Sequence, residues 1–443
     1  MKRFFFLFVL CVPTLIFSQI TFSQEVIISD NTTGYGRPRM ALISNDIPVI
    51  IWFKEGNDHS IMMSRGNGNG TFSAPIEIVD HDLEPTGFIG PEISAKGDTV
   101  YIAFICGRYD YDAIMIKKSF DGGLTFSDTI RVSPNDNNFQ YYMPNIEVKD
   151  DGNPIVSYMK CTQNDTDFEQ IVNISMDFGS TFDNEVNASE LAPGEPCDCC
   201  KSTIVTKGNN VYLLFRNNEF NVRNTYVSKS TDGGLSFTTT QDLDDLNWTL
   251  NACPTSSPNG VLNGDSILVA SRSGATGIHQ VYYSNVNSNN LQKNYYRTID
   301  EIGSGLQDQV EVAGKGNILG IVWHDNRNMN NACYLSYTID GANNIGGSIE
   351  MSDSIVNGHK KFPDIEYANG KFYFVYKFSS DQSIIYKELD LSNINNINLP
   401  TTPSNSKVIS TTDFQGKRCK PQKNMPYLNI YQDGRFEKKV IIK

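Results

Sequence analysis

Between residues 25 and 392 the chain is written in short apolar runs separated by Gly, Asn, Asp and Ser. The most apolar are Val49-Ile50-Ile51-Trp52, Val100-Tyr101-Ile102-Ala103-Phe104, Ile155-Val156-Ser157-Tyr158, Val211-Tyr212-Leu213-Leu214-Phe215, Ile267-Leu268-Val269-Ala270, Leu319-Gly320-Ile321-Val322-Trp323 and Phe372-Tyr373-Phe374-Val375-Tyr376. Their length, their β-branched and aromatic content and the turn residues around them predict buried strands, and no long helical heptad appears. Each follows a shorter strand-like run that begins near Arg37, Gly90, Met143, Cys199, Cys253, Gln307 or Phe362. The interval is roughly 53–56 residues throughout, a period that marks propellers and arrays.

Two further strands follow in each unit. Four antiparallel strands are too few to fold alone, so the units read as blades of an all-β propeller. Seven blades are expected, or six if one unit is an insertion. The seventh unit has no evident fourth strand, and the isolated run Val26-Ile27-Ile28 is expected to supply it and close the ring. A corner recurs between the third and fourth strands. Ser230-Thr231-Asp232-Gly233-Gly234-Leu235-Ser236-Phe237 repeats as Ser119 to Phe126 around Asp121 and as Ser175 to Phe182 around Asp177, with a worn copy from Ser64 to Phe72. The Asp caps backbone N–H groups ahead of it, the glycines take positive φ, and the Phe plugs the turn. These aspartates are expected to be structural pins.

Composition then narrows the partners. A chain of 443 residues with net charge −13 and a pI near 4.9 argues against nucleic acid or an anionic membrane as the main partner. Met1-Lys2-Arg3 before Phe4-Phe5-Phe6-Leu7-Phe8-Val9-Leu10 predicts a secretory signal peptide over 1–19, and no later segment is apolar enough to cross a bilayer. The expected layout is a signal peptide (1–19), a propeller (25–392), a linker (393–407) and a C-terminal β segment (408–443). The protein is expected to be exported and monomeric, with its cysteines in an oxidising compartment.

Propeller topology turns sequence position into location. The first-strand starts and the loops between second and third strands share one channel mouth, and the Asp corners lie at the other end. Chemistry is expected at the first mouth. Arg37, Arg216, Arg272 and Arg327 recur there from blade to blade, and converging guanidiniums suit a carboxylate or sulfate. Cys161, Cys197, Cys199, Cys200 and Cys253 are expected at the same mouth. Disulfides are the default reading, including a vicinal Cys199–Cys200 bridge, and the alternative is a thiolate site for copper(I) or zinc. No cofactor is required. Calcium on the Asp- and Asn-rich loops is a further option, although no EF-hand spacing exists.

The Asp-box octets, the strand order and the repeat length resemble the BNR/Asp-box, sialidase-like superfamily over roughly residues 25–390. The resemblance implies an anionic, sialic-acid-like glycan or glycoprotein as ligand, gripped by an arginine triad drawn from Arg37, Arg216 and either Arg272 or Arg327. It implies Asp58 as acid and Tyr376 (or Tyr373) as nucleophile. Cys199-Cys200-Lys201 stands where the family places the Glu that activates the Tyr, so hydrolysis is left open. Two alternatives stand beside it: a non-catalytic binding propeller for protein or polysaccharide, and a cysteine-built metal or redox site. The tail from Tyr427 to Lys443 resembles the end of a type A sorting domain of the type IX secretion system, which implies export machinery as a partner.

Overall fold

The computed structural model describes residues 21–392 except 55–58, 80–82, 84–89, 108–111, 183–184, 301–304, 342–344, 346 and 353–357, and beyond them 408–412, 418–420, 427–431 and 436–439. The expected signal peptide (1–19) and linker (393–407) lie outside the described residues.

Residues Thr21–Leu391 form one compact unit. It is a seven-bladed propeller of antiparallel four-stranded sheets. Blade 1 comprises Gly36–Ile43, Ile47–Lys54, Ser60–Arg65 and Ile76–Val79; blade 2, Glu92–Lys96, Thr99–Gly107, Asp112–Ser119 and Ile130–Arg131. Blade 3 comprises Phe139–Val148, Pro154–Thr162, Glu169–Ile174 and Val186–Asn187; blade 4, Thr203–Lys207, Asn210–Asn218, Thr225–Ser230 and Thr239–Asp242. Blade 5 comprises Asn259–Asn263, Ser266–Ser273, Gln280–Asn287 and Lys293–Thr298; blade 6, Gln307–Lys315, Ile318–Asn328, Asn330–Thr338 and Ile349–Glu350. Blade 7 takes Lys360–Ala368, Lys371–Phe378 and Ser383–Asp390 from the end of the repeat. Its fourth strand is the N-terminal Val26–Ser29, which pairs antiparallel with Ser383–Asp390. An edge that would otherwise be open is thereby covered.

The first strand of every blade lines the axis. A central cavity of about 510 Å³ is bordered by Ala41, Ser94, Glu147, Val205, Val261, Ala313 and Glu366, one from each blade in turn. The second strands carry the core, with apolar faces on both sides because each blade is sandwiched between two others. Trp52, Phe215, Trp323, Phe372 and Phe374 are fully buried. Interiors form at each junction: Met40, Ile50 and Trp52 of blade 1 pack with Tyr373 and Val375 of blade 7, and Leu319 and Trp323 of blade 6 pack with Leu268 and Tyr283 of blade 5.

Two expectations shift in detail. The first strands of blades 4 and 5 begin at Thr203 and Asn259, after the cysteine segments. Those segments instead form the approach to the mouth, and Glu195–Pro196 adds a short strand against Asn217 and Asn218. The C-terminal unit holds a three-stranded antiparallel sheet of Val408–Thr412, Tyr427–Tyr431 and Phe436–Lys439.

Candidate functional site

The mouth is built from bulges. Arg37, Met143, Thr255, Gln309 and Phe362 occupy corresponding places at or just before the first strands, and all have positive φ, between 49° and 57°. In four of these blades the ladder register shifts at this point. Such conformations cost roughly 1–3 kcal/mol per residue and persist only where the surroundings dictate them. Four of these residues, Arg37, Met143, Thr255 and Gln309, border a cavity of about 30 Å³ that is also lined by Arg39, Glu92, Lys201 and Glu311.

Below the bulges lies a ring of paired charges. Arg39 Nε donates to Glu92 Oε1 at 3.2 Å and Arg39 Nη2 contacts Glu311 Oε1 at 2.8 Å, while Lys201 Nζ lies 2.6 Å from Glu92 Oε1. Asn259 donates to Glu311 Oε2. Burial raises the Glu92 pKa, but Lys201 and Arg39 outweigh it and hold the carboxyl below its ordinary value. The same position in successive blades bonds the next blade's first strand: Asn145 Oδ1 accepts from the Ile204 N–H at 3.0 Å, Asn259 Oδ1 from Val312 at 3.0 Å and Asp364 Oδ2 from Met40 at 2.8 Å. Sequence reasoning missed Glu311, gave no role to Arg39 and Lys201, and considered Glu92 only as a carboxylate facing Tyr373 or Tyr376. The signal that finds Arg39 and Glu311 is a polar residue two positions after the bulge, repeated by Asn145 and Asp364.

Arg37 differs from its neighbours in the ring. Its Nη1 donates to the neutral Gln309 Oε1 at 2.9 Å, its guanidinium lies 4.2 Å from the centre of the Phe362 ring, and its Nε, like that of Arg272, is buried with no hydrogen-bond partner among the described residues. Burial first, then repulsion from Arg39, pulls its pKa down to about 9. It is a half-buried cation that makes no ion pair among the described residues, although Asp308, Glu92 and Glu311 act on it from a distance.

The other arginines are engaged elsewhere. Arg216 is fully buried, and its three donors go to backbone carbonyls of Ser256 (3.1 Å), Arg223 (2.5 Å) and Arg272 (2.8 Å). Arg272 pairs with Asp308 at 2.7 Å, and both guanidiniums face the Trp248 ring at 5.3 and 5.4 Å. Arg327 binds Asp325 and Asp300, each at 2.6 Å. Of the four, only Arg37 borders the mouth cavity. Tyr376 is fully buried and its hydroxyl donates to Glu25. Asp58 lies outside the described residues. His324, whose Nδ1 accepts from the Phe362 N–H at 3.4 Å, is pushed down to about 4 by burial, so it is neutral at physiological pH.

The Asp corners tie their own turns. Asp121 Oδ1 accepts from Ser119 Oγ at 2.7 Å and from the Thr125 N–H at 2.9 Å, and Asp177 and Asp232 repeat this pattern. The hydroxyl of the following Thr or Ser adds a bond to Oδ2 in each. These bonds hold all three carboxyls below their usual value, although burial opposes them at Asp232. Phe178, at φ 57°, takes the place that a glycine fills in the other two corners.

Cys199 is bonded to Cys253, joining the approaches to blades 4 and 5, and this replaces the expected vicinal Cys199–Cys200 bridge. Cys161, Cys197 and Cys200 are free and buried. Burial pushes the Cys161 thiol up to about 11. The sulfurs of Cys197, Cys199 and Cys200 lie within 4.8 Å of one another, yet Arg223 Nη1 sits 3.3 Å from Cys197 Sγ. With one sulfur taken by the disulfide and a guanidinium against another, the set fits a metal cation poorly.

Among the described residues no helix is long and apolar enough to cross a membrane. No known protein family matches the chain, and no curated protein does either. Among solved structures it is similar to an ulvan lyase in complex with -[GlcA(1-4)Rha3S]-, at 13% identity and a TM-score of 0.54, covering 82% of this chain and 95% of that one. NanB sialidase from Streptococcus pneumoniae matches at 11% identity and a TM-score of 0.51, over 84% of this chain and 71% of that one. A Trypanosoma rangeli sialidase matches at 8% identity and a TM-score of 0.46, and this chain spans only 56% of its length. At these identities the likeness is one of fold: the three propellers named are two sialidases and a lyase.

Proposed function

We propose that the protein is an exported glycan-directed propeller that recognises the carboxylate or sulfate of an acidic saccharide at the channel mouth, with Arg37 as the primary contact. One observation carries this reading. Arg37 is a cation held by backbone strain beside the cavity and, among the described residues, its side chain hydrogen-bonds a neutral amide and makes no ion pair, with its buried Nε left without a partner. An anion there would supply the missing acceptor and restore the guanidinium's pairing. Lys201 and Arg39, already neutralised by Glu92 and Glu311, flank it. The fold neighbours lend support, since one is an ulvan lyase bound to a glucuronate- and sulfate-bearing saccharide and another is a sialidase.

Turnover of a sialoside is the finer part of the proposal. It draws on Asp58 and Tyr376 in the roles the family resemblance implies, with Arg216, Arg272 and Arg327 shaping the rim. Export rests on the signal peptide and on the C-terminal segment as a sorting signal.

Titration calorimetry with sialyllactose and with a glucuronate–sulforhamnose oligosaccharide, against neutral lactose, tests recognition. At least one acidic sugar is expected to bind more than tenfold tighter than lactose, and Arg37→Met is expected to remove that preference. Equal binding of acidic and neutral sugars, or an unchanged preference in Arg37→Met, refutes it. Release of a fluorogenic aglycone from a sialoside decides hydrolysis separately.

A further inference from the structure

The cysteine cluster beside the mouth is arranged for chemistry among its own members. Cys197 and Cys200 flank a turn closed by the Cys200 N–H donating to the Cys197 carbonyl at 3.2 Å. Between them Cys199 is held in the bond to Cys253. Cys197 Sγ lies 3.7 Å from Cys199 Sγ, and Cys200 Sγ is within 4.8 Å of both. A free sulfur therefore stands against a disulfide sulfur, with a second free sulfur behind it.

The surroundings favour the anionic form of Cys197. Arg223 Nη1 donates to its sulfur at 3.3 Å, and Arg216 is the second guanidinium acting on it. The carboxylate of Asp198 is exposed and lies 3.9 Å from Arg223 Nη1, too far to compete for that hydrogen bond. The Cys200 hydrogen bond first, then Arg223 and Arg216, outweigh burial and bring Cys197 down to about 7. Cys200 goes the other way, since burial raises it well above the ordinary thiol, so it keeps its proton. Exposure is just as uneven. Cys197 and Cys200 have almost no exposure, whereas Cys253 faces solvent.

We propose that these four cysteines form an intramolecular thiol–disulfide relay, in which the Cys197 thiolate attacks Cys199 Sγ, the Cys199–Cys253 bond breaks, and Cys253 leaves as a thiolate at the surface. Cys200 then attacks Cys197 Sγ in the new Cys197–Cys199 bond, and Cys199 departs with the proton that Cys200 gives up. One thiolate, one thiol and one disulfide enter, and the same set leaves, so no outside oxidant or reductant is consumed. The staple between blades 4 and 5 becomes a Cys197–Cys200 bridge within blade 4. Cys253 becomes the sulfur that an external disulfide or electrophile can reach. Because Cys199, Lys201 and Thr255 border the mouth, the exchange also frees one wall of that cavity. The inference does not depend on the glycan reading.

The test uses full-length protein purified without reductant and held at pH 8. Aliquots are acid-quenched, alkylated under denaturing conditions, digested, and read by tandem mass spectrometry for which cysteines were free. Two populations are expected, one alkylated at Cys197 and Cys200 and the other at Cys199 and Cys253. Brief iodoacetamide treatment of the native protein should label Cys253 and draw the mixture toward the second population. Cys200→Ser should stop after the first step, with Cys253 labelled and a Cys197–Cys199 bond. Cys197→Ser should cut Cys253 labelling more than tenfold. The proposal is overturned if Cys253 is never free without reductant, or if Cys199–Cys253 and Cys197–Cys200 bridges coexist as a fixed pair. Should Cys197→Ser fail to fold, the wild-type map and Cys200→Ser still decide between these outcomes.

Discussion

Replacing Arg216 with methionine separates a binding arginine from a structural one. The methionine retains the aliphatic stem and removes three donors, leaving the carbonyls of Ser256, Arg223 and Arg272 without their partner inside a fully buried site. Each orphaned carbonyl costs roughly 1–3 kcal/mol, and partial relaxation brings the total to about 3–5 kcal/mol. The contact with the Trp248 ring, 5.3 Å from the guanidinium carbon, is lost as well. The propeller unit is Thr21–Leu391. At roughly 2.1 cal/mol/K per residue its unfolding entropy is about 0.8 kcal/mol/K, so Tm should fall by about 4–6 °C in a calorimetric scan. Acidic-sugar affinity measured well below the transition should stay within about twofold of wild type. A Tm within about 1 °C of wild type, combined with lost affinity, would refute the reasoning and return Arg216 to the ligand.

Three further outcomes follow from the same geometry. Burial raises Glu147 and Asp364 to about 7, so the folded state holds protons that the unfolded state releases near pH 4; their contribution to stability is therefore full below about pH 4 and is lost as pH rises to about 7. Glu147→Gln should raise Tm at pH 8 and leave it unchanged at pH 5, and equal effects at both would contradict this assignment. Deleting residues up to Asp30 removes the fourth strand of blade 7 and bares the edge of Ser383–Asp390, so light scattering should report association and a lower Tm. In Gly320→Ala the new Cβ would meet the Phe372 ring at 2.8 Å and Ile365 at 3.0 Å between blades 6 and 7, and should cost about 1–3 kcal/mol in a denaturant titration.

Much of the architecture was legible because a propeller repeats one local solution. Each blade's second strand is buried on both faces and so reads as an unbroken apolar run. The Asp corner reads as a string because its hydrogen bonds stay within a few residues. The missing strand in the last unit and the isolated Val26-Ile27-Ile28 implied the closure that is found. The candidate site was only half legible. That arginines stand at strand ends in blades 1, 4, 5 and 6 is visible in the chain. Where the guanidiniums of Arg37, Arg216 and Arg272 go depends on groups distant in the chain: Asp308 for Arg272, the Ser256 carbonyl for Arg216, the Gln309 amide for Arg37.

The chain by itself determined the fold class, the repeat and the Asp-corner turns, which follow from patterns within one unit or between adjacent units, and the ring closure, which follows from a spare strand at one end and a missing one at the other. Only the tertiary structure decided which arginines are ion-paired and which cysteine is bonded. Both depend on what neighbouring blades bring within about 4 Å, a proximity that sequence spacing does not encode. Cys199 pairs with Cys253 rather than Cys200 because the blade period brings the approaches to blades 4 and 5 side by side, with Cα atoms 6.1 Å apart. Arg37 makes no ion pair among the described residues because Arg39, two residues on, occupies both Glu92 and Glu311.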